Sequence, residues 1–297
     1  QYVAVYPARP NQYRNTQRGF SMSALSRTHY AGRTQNAGRG LVRTLWNAPR
    51  AKRFYKEVTI KEVAAAGGGV GYGVHLDGRL LRTPAKNELS LKSRSLALAV
   101  AKEWDSQTKF ILPYMMPLMT LTTTVKDQLQ TAQTIRPQLE EGMLQYFQSD
   151  TVCFRSPDSE DFRLKRAEAK HWDPILSWFN SRFGTNVQPT DGLGLPRSDD
   201  DIDAVENYLD EQSDEAIAAL DSLTISCKSF MLASAVLEGA LSAEEACLAA
   251  RVSEDAQIED WGLAEGSHDI DIEELRMRVA SASVYHKLSK DHSLLLL

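Results

Sequence analysis

Hydrophobic and polar positions follow a strand-like pattern near residue 60. A β-branched run covers residues 57–63, and apolar positions alternate over residues 72–76, directly before Asp77-Gly78. Asp-Gly between two such runs predicts a two-residue hairpin turn, because both turn positions need a positive φ. We therefore predict a small, mostly antiparallel sheet in this region.

After residue 93 the pattern changes to a helical period. Leu96, Val100 and Trp104 recur at every fourth position with Ala97 and Ala101 beside them, so one apolar stripe forms and Trp104 lies at the edge of the core. Further segments with a helical pattern cover residues 118–132, 135–148, 161–183, 199–212, 214–238, 243–261 and 271–289.

The order of these patterns predicts an α+β fold. A small N-terminal, mostly antiparallel β-rich domain, residues 51–117, is followed by a larger all-α domain, residues 118–297. Pro174 lies inside one predicted helix and should kink it, because proline removes one backbone hydrogen bond and clashes with the preceding turn.

Charge separates the N-terminal part from the rest of the chain. Residues 1–56 contain nine Arg, two Lys and no Asp or Glu, whereas the remaining 241 residues contain 23 basic and 39 acidic residues. An Arg-rich, acid-free segment with Ser and Thr is typical of a mitochondrial transit peptide, so we expect residues 1–50 to be a disordered leader that the mature protein lacks. The alternative is a basic nucleic-acid-binding arm, which the acidic body disfavours.

The sequence lacks the patterns that are typical of membrane helices, of paired cysteines and of phosphate-binding loops. No apolar stretch approaches the roughly 20 residues that a membrane helix needs, so we expect no membrane insertion. Cys153, Cys227 and Cys247 form no CxxC pair and are expected to be core residues in a reducing compartment. The glycines of residues 67–73 precede a strand pattern and lack the Gly-Lys-Ser/Thr of a phosphate-binding loop.

Metal-binding and catalytic motifs are also incomplete or missing from the sequence. Asp199, Asp201 and Asp203 have calcium-loop spacing but no Gly at the sixth position, and Ser198 with Asp201 instead predicts a capped helix start. The six His are scattered, and neither HExxH nor G-x-S-x-G occurs. We expect no cofactor, metal, small-molecule substrate or catalysis. A hydrolase would need a nucleophile and a base that only folding brings together.

Two segments combine acidic, amide and aromatic residues. In the first, Glu103 and Gln107 are four positions apart and share one helix face beside Trp104. In the second, residues 254–262, four acids crowd a predicted helix end that closes on a glycine. Acids at a helix C-terminus oppose its dipole, so a Lys at Asp255 is expected to leave the fold intact or to stabilise it slightly. The alternative for both segments is a solvated helix face.

These segments belong to a series that occurs in the order found in one known family. The chain resembles the mitochondrial ATP synthase assembly factor 2 family, whose members are chaperones of the alpha subunit of the catalytic sector. The resemblance covers roughly residues 53–287 and rests on Arg53-Phe54-Tyr55, Leu76-Asp77-Gly78-Arg79 with Thr83-Pro84, Glu103-Trp104-Asp105-Ser106-Gln107, Met116-Pro117-Leu118, Asp150-Thr151-Val152-Cys153-Phe154-Arg155, Trp172-Asp173-Pro174-Ile175, Gln257 with Trp261-Gly262, and His268-Asp269.

The resemblance implies a chaperone in the mitochondrial matrix that is not an enzyme and that binds unassembled ATP synthase alpha subunit. In the family an acidic position before the Gln-x-x-x-Trp-Gly segment matters for function, and it corresponds here to Asp255 or Glu254. We expect the partner-binding residues to be Asp255, Glu254, Gln257, Trp261, Glu103 and Gln107. We expect structural roles for Trp104, Trp172 and Pro174.

Some positions depart from the family pattern. The family usually has Gln where Glu168 stands, an aromatic residue where Ala256 stands and a longer acidic side chain where Asp255 stands. The alternative function is that of a permanent structural accessory subunit of a lineage-specific ATP synthase.

Overall fold

The computed structural model describes residues 51–64, 69–132, 134–157, 162–192 and 194–290. These residues form a four-stranded antiparallel sheet followed by helices, which confirms the predicted α+β fold. The predicted transit peptide lies outside the described residues, so its cleavage and disorder stay predictions.

The sheet is built around its second strand. Its strands are β1 (Val58–Ala64), β2 (Val70–Leu76), β3 (Arg79–Leu80) and β4 (Ser90–Leu91). β2 pairs antiparallel with each of the other three, and Val58 of β1 lies opposite Leu76 of β2. Asp77 and Gly78 have φ of 46° and 79°, which confirms the predicted hairpin turn between β2 and β3.

Helix α1 (Arg94–Asp105) packs on β1 and β2. The Ser93 hydroxyl caps its first turn by accepting a hydrogen bond from the Leu96 backbone N–H at 3.2 Å. The predicted apolar stripe is buried, and Trp104 is only 2% exposed. The Tyr55 hydroxyl donates to the Trp104 carbonyl at 2.7 Å, which joins the chain before β1 to the end of α1.

Nine further α-helices follow among the described residues: α2 (Pro117–Thr123), α3 (Ile135–Gln148), α4 (Phe162–Phe183), α5 (Asp199–Asp210), α6 (Asp214–Cys227), α7 (Phe230–Leu237), α8 (Ala243–Ala250), α9 (Val252–Trp261) and α10 (His268–Lys290). Short 3-10 turns cover Pro113–Met115 and Thr151–Cys153, and a π-type turn covers Thr124–Leu129. The Ser198–Asp201 capping box at the start of α5 confirms the predicted capped start.

Three predicted helices are broken in the structure. The helix predicted over residues 118–132 changes to the π-type turn after α2. Lys228, at φ 55°, ends α6, and the Ser229 hydroxyl then caps α7. Arg251, at φ −115° and ψ 9°, separates α8 from α9. Hydrophobic periodicity misses these breaks because Ser, Lys and Arg are also compatible with helix interiors.

Buried side chains of the sheet, α1 and the later helices form one contiguous hydrophobic cluster. All eight residues of α7 are buried, and the rings of Phe147, Phe179 and Phe230 pack with centroids 5.6 to 6.2 Å apart. The three cysteines are buried and free, as predicted for core residues. The division into two domains at residue 117 stays a prediction.

Trp172 and Pro174 lie in the middle of α4, which continues through the proline. Trp172 is buried, and its indole N–H donates to the Ala249 carbonyl at 2.8 Å, so α4 is fixed to the end of α8. This contact supports a structural role for Trp172, while a kink at Pro174 stays a prediction. In the described part of the chain, none of the helices is both long and apolar enough to cross a membrane.

Candidate partner-binding surface

The polar residues at the end of α1 are hydrogen-bonded within the chain. The two Glu103 carboxylate oxygens accept hydrogen bonds from the backbone N–H groups of Leu118 and Met119 at 2.8 and 2.7 Å, at the start of α2. Gln107 is buried, and its amide donates to the Glu103 carbonyl at 3.0 Å and accepts from the Leu112 N–H at 2.7 Å. Glu103 therefore satisfies donors that the α2 N-terminus leaves without intrahelical partners.

This geometry argues against the expectation that Glu103 and Gln107 contact a partner, which itself stays a prediction. The helix face that they share is covered by the chain that leads into α2, so their polar groups serve the fold. Burial raises the pKa of Glu103 to about 7, although the two backbone hydrogen bonds act in the opposite direction. We therefore leave both residues out of the candidate surface.

The second acidic segment has a different position from the one expected. Because Arg251 interrupts the predicted helix, Glu254 and Asp255 lie in the first turn of α9. A negative charge at a helix N-terminus is favourable. The expectation that all four acids lie at a helix C-terminus and oppose its dipole is therefore wrong. The physical reason for expecting a neutral or stabilising Lys at Asp255 no longer applies. Only the other two acids, Glu259 and Asp260, lie near the end of α9.

Ion pairs fix the start of α9. The Asp255 carboxylate accepts hydrogen bonds from Nε and Nη2 of Arg251 at 3.1 and 2.9 Å. Lys228, which ends α6, contacts Glu254 at 2.7 Å. Half of the Asp255 side chain stays accessible, at 45% exposure. The two acids are thus held in place and still face solvent in part.

A third ion pair fixes the end of α9. Arg163, at the start of α4, lies 2.6 Å from the Asp260 carboxylate. Its neighbour Phe162 is 77% exposed, and Trp261, next to Asp260, is 82% exposed. Because Phe162 precedes Arg163 and Trp261 follows Asp260, this ion pair brings the backbones of the two exposed aromatic residues close together.

The chain from residue 253 to residue 278 contains no buried residue. We call these residues, which cover most of α9, the turn after it and the first half of α10, the α9–α10 arm. Four large apolar side chains of the arm are exposed, namely Trp261, Leu263, Ile270 and Met277. Ile270 and Met277 are seven positions apart and so lie on one face of α10. Exposed apolar side chains grouped in this way are typical of a binding surface.

The arm is also strongly acidic. Residues 253–274 contain nine acidic residues and no Lys or Arg. Glu259, Glu265, Asp269 and Asp271 are exposed and form no ion pair with another residue that the structure describes. Trp261, Leu263 and Ile270 of the arm therefore lie among acidic residues, whereas Met277 lies between Arg276 and Arg278, which pair with Glu273 and Glu274.

The sequence predicted part of this candidate surface, and binding there stays a prediction. It identified Glu254, Asp255, Gln257 and Trp261, which the structure brings together on α9, with Gln257 exposed. It missed the apolar side chains on the next turn and on α10, and Phe162 on α4. The seven-residue spacing of Ile270 and Met277 was a readable signal, but their exposure depends on which neighbours pack against α10.

The described residues contain no group of three or more His, Cys, Asp or Glu side chains that could hold a metal ion. His171 of α4 lies near the acidic start of α9. Burial, assisted by Lys170, lowers the pKa of His171, and Asp255 opposes that shift.

Comparisons with known proteins agree on one family. Residues 52–180 match the family model described as ATP12 chaperone protein. The chain is 24% identical over 251 residues to "Protein atp12, mitochondrial" of Schizosaccharomyces pombe, with 82% of this chain and 84% of that protein covered. It is also 24% identical to "Protein ATP12, mitochondrial" of Saccharomyces cerevisiae, with 79% and 83% covered.

A solved structure has the same fold. The crystal structure of Atp12 from Paracoccus denitrificans superposes with a TM-score of 0.72 at 26% identity and covers 81% of this chain and 99% of its own. The matched family model ends at residue 180, so the α9–α10 arm lies beyond it.

Proposed function

Because the chain is similar to ATP12 chaperone proteins in sequence and in fold, we propose that it belongs to their family and binds the unassembled alpha subunit of the ATP synthase catalytic sector through the α9–α10 arm. The similarity to ATP12 chaperone proteins supports an assembly chaperone for ATP synthase, and the names of the relatives support a mitochondrial location. The alpha subunit as client, the matrix as compartment and the arm as contact surface are our proposals.

The observation that carries the proposal is the exposure of Trp261. An indole that is 82% exposed leaves most of its apolar area in water, and binding a partner removes that area from solvent. Trp is also enriched among the residues that contribute most to binding energy at protein interfaces. A subunit that awaits its neighbours exposes apolar surface of its own, which a chaperone can cover until assembly.

The acids around Trp261 have a separate role. Charges at the rim of an interface speed encounter and fix register more than they raise affinity. Glu254 and Asp255 suit this role because their ion pairs hold them at the start of α9 while part of each side chain stays in water. Gln257 lies two residues after Asp255 and adds an uncharged hydrogen-bonding group. We expect this surface to bind a segment that carries basic and apolar side chains.

Such a protein acts by stoichiometric binding, without a cofactor and without catalysis. Because the client must later be released to its neighbours, the interface should be of moderate affinity. An apolar anchor with an exposed charged rim fits this requirement, since exposed ion pairs contribute only about 0 to 1 kcal/mol each.

Trp261→Ala tests the proposal. We expect the variant to keep its melting temperature and to capture alpha subunit at least about tenfold more weakly, because interface anchors typically contribute 2 kcal/mol or more, with each 1.4 kcal/mol corresponding to tenfold. Capture is measured with the tagged protein purified from mitochondria and with isolated alpha subunit.

Tyr114→Ala is the matched control, because Tyr114 is also an exposed aromatic residue, at 68%, but lies on the 3-10 turn before α2. Equal capture by the parent and Trp261→Ala would refute the arm as the contact surface. Recovery of the protein in equimolar amounts with active ATP synthase would instead favour a permanent accessory subunit.

A further inference from the structure

The chain itself contains a segment that complements the α9–α10 arm. Residues 1–50 carry eight Arg and no acidic residue, whereas residues 253–274 carry nine acids and no Lys or Arg. The N-terminal segment also contains apolar and aromatic residues between its arginines, among them Phe20, Leu25 and Trp46. It thus has both chemical features that the arm requires of a partner.

The point of attachment allows this contact. The described chain begins at Ala51, whose carbonyl accepts a hydrogen bond from the Ile111 N–H at 2.8 Å near the end of α1. A 50-residue segment can reach about 165 Å when fully extended, whereas the 23 residues of α10 are only about 34 Å long. Because the segment belongs to the same chain as the arm, a contact between them is intramolecular and is populated more than the same contact between separate molecules.

We propose that, in the uncleaved chain, residues 1–50 bind to the α9–α10 arm and cover Trp261 and the apolar face of Ile270 and Met277. The arginines pair with the exposed acids of the arm, and the apolar residues between them contact the exposed apolar side chains. Removal of the segment then makes the arm available to a partner. This contact within the chain can be tested without any client, so its failure is separate from a failure of the proposed function.

The experiment uses the full chain with a site-specific protease site inserted between Arg50 and Ala51. The folded protein is cut and passed over a gel-filtration column at about 10 mM salt and at about 1 M salt, where the Debye length falls from about 30 Å to about 3 Å. We expect the cut segment to co-elute with the folded part at low salt and to separate from it at high salt. Separation at both salt concentrations would overturn the proposal.

Two charge-neutralising variants locate the contact. The first neutralises four exposed acids of the arm (E259Q, E265Q, D269N and D271N), and the second neutralises four exposed acids on α5 (D199N, D200N, D203N and E206Q). Each set removes four negative charges, including two in the first turn of a helix. Melting temperatures show whether both variants fold.

We expect the arm variant to bind the cut segment about tenfold more weakly than the parent, since four exposed ion pairs of a few tenths of a kcal/mol each give that factor. The α5 variant should bind it as the parent does. Equal weakening in both variants, or none in the arm variant, would show that the segment responds to overall charge or binds elsewhere, and would refute the proposal.

Discussion

The segments 103–107 and 254–262 have similar composition, and each combines acids, a glutamine and a tryptophan. The structure uses them in opposite ways. Trp104 is 2% exposed and its acidic neighbour Glu103 caps α2, whereas Trp261 is 82% exposed and its acidic neighbours face solvent. Residue type alone therefore does not separate a buried, fold-stabilising cluster from an exposed one.

The difference comes from the course of the chain after each segment. After α1 the chain turns back at Pro113–Met115 and covers the end of the helix with α2. After α9 the chain turns at Gly262 and continues into the unburied half of α10, so nothing among the described residues buries Trp261. The same side chains thus stabilise the fold in one place and stay available for a partner in the other.

The largest expected effect is that of Trp104→Arg. Loss of a large buried aromatic side chain and burial of an unpaired charge each cost about 3 kcal/mol or more, out of a typical stability of about 5 to 15 kcal/mol. We expect the variant to be insoluble or unfolded, as measured by circular dichroism and thermal unfolding. Trp261→Arg is the control and should melt within a few degrees of the parent. Similar melting of the two variants would contradict the comparison.

Glu103→Ala should have the next largest effect. It leaves the backbone N–H groups of Leu118 and Met119 without their acceptors, and loss of such a cap costs about 2 kcal/mol. Denaturant unfolding measures this loss. Glu259→Ala, at an exposed acid of α9, is the control and should change the free energy of unfolding by less than about 0.5 kcal/mol. An equal loss of unfolding free energy in both variants would show that Glu103 stabilises the fold no more than an exposed acid of α9 does.

The pH dependence of stability provides a finer test of Glu103. Its pKa is raised from its ordinary value of 4.5 to about 7 in the folded chain, so the folded state holds the proton more tightly than the unfolded state does. The resulting stabilisation is complete below pH 4.5 and is lost as the pH rises towards 7. The parent should therefore lose stability relative to Glu103→Gln across this range, as measured by urea unfolding. A constant difference between the two would show that Glu103 does not titrate there.

The sequence was sufficient for the elements whose signals are local. The Asp77-Gly78 turn, the stripe that buries Trp104 and the Ser198 capping box each depend on a few neighbouring residues, and all three are confirmed. The break at Arg251 was missed, because Arg is compatible with a helix interior and no local signal marks the break. That break moved Glu254 and Asp255 from a helix end to a helix start.

The candidate partner surface was predictable only in part for the same reason. The acidic residues and Trp261 are visible in the sequence, but exposure is a property of the whole fold. Glu103 and Gln107 were expected at the surface because no local signal shows that the start of α2 returns to cover them. Long-range contacts of this kind decide whether a polar face becomes an internal cap or a binding surface.

Asp255→Lys should have the smallest effect on stability and a clear effect on binding. The change removes the ion pair with Arg251, places two positive charges side by side and puts a positive charge in the first turn of α9. These changes destabilise the fold by about 1 kcal/mol, the opposite direction from the effect expected at a helix end. A charge swap that combines Asp255→Lys with Arg251→Glu restores the pair with its sign reversed. We expect the swap to recover part of the melting temperature but not the capture of alpha subunit, because the acid is then displaced from its position. If the swap restores capture together with stability, Asp255 acts only by holding the start of α9, and Trp261 and the acids of the turn and α10 remain as the binding residues.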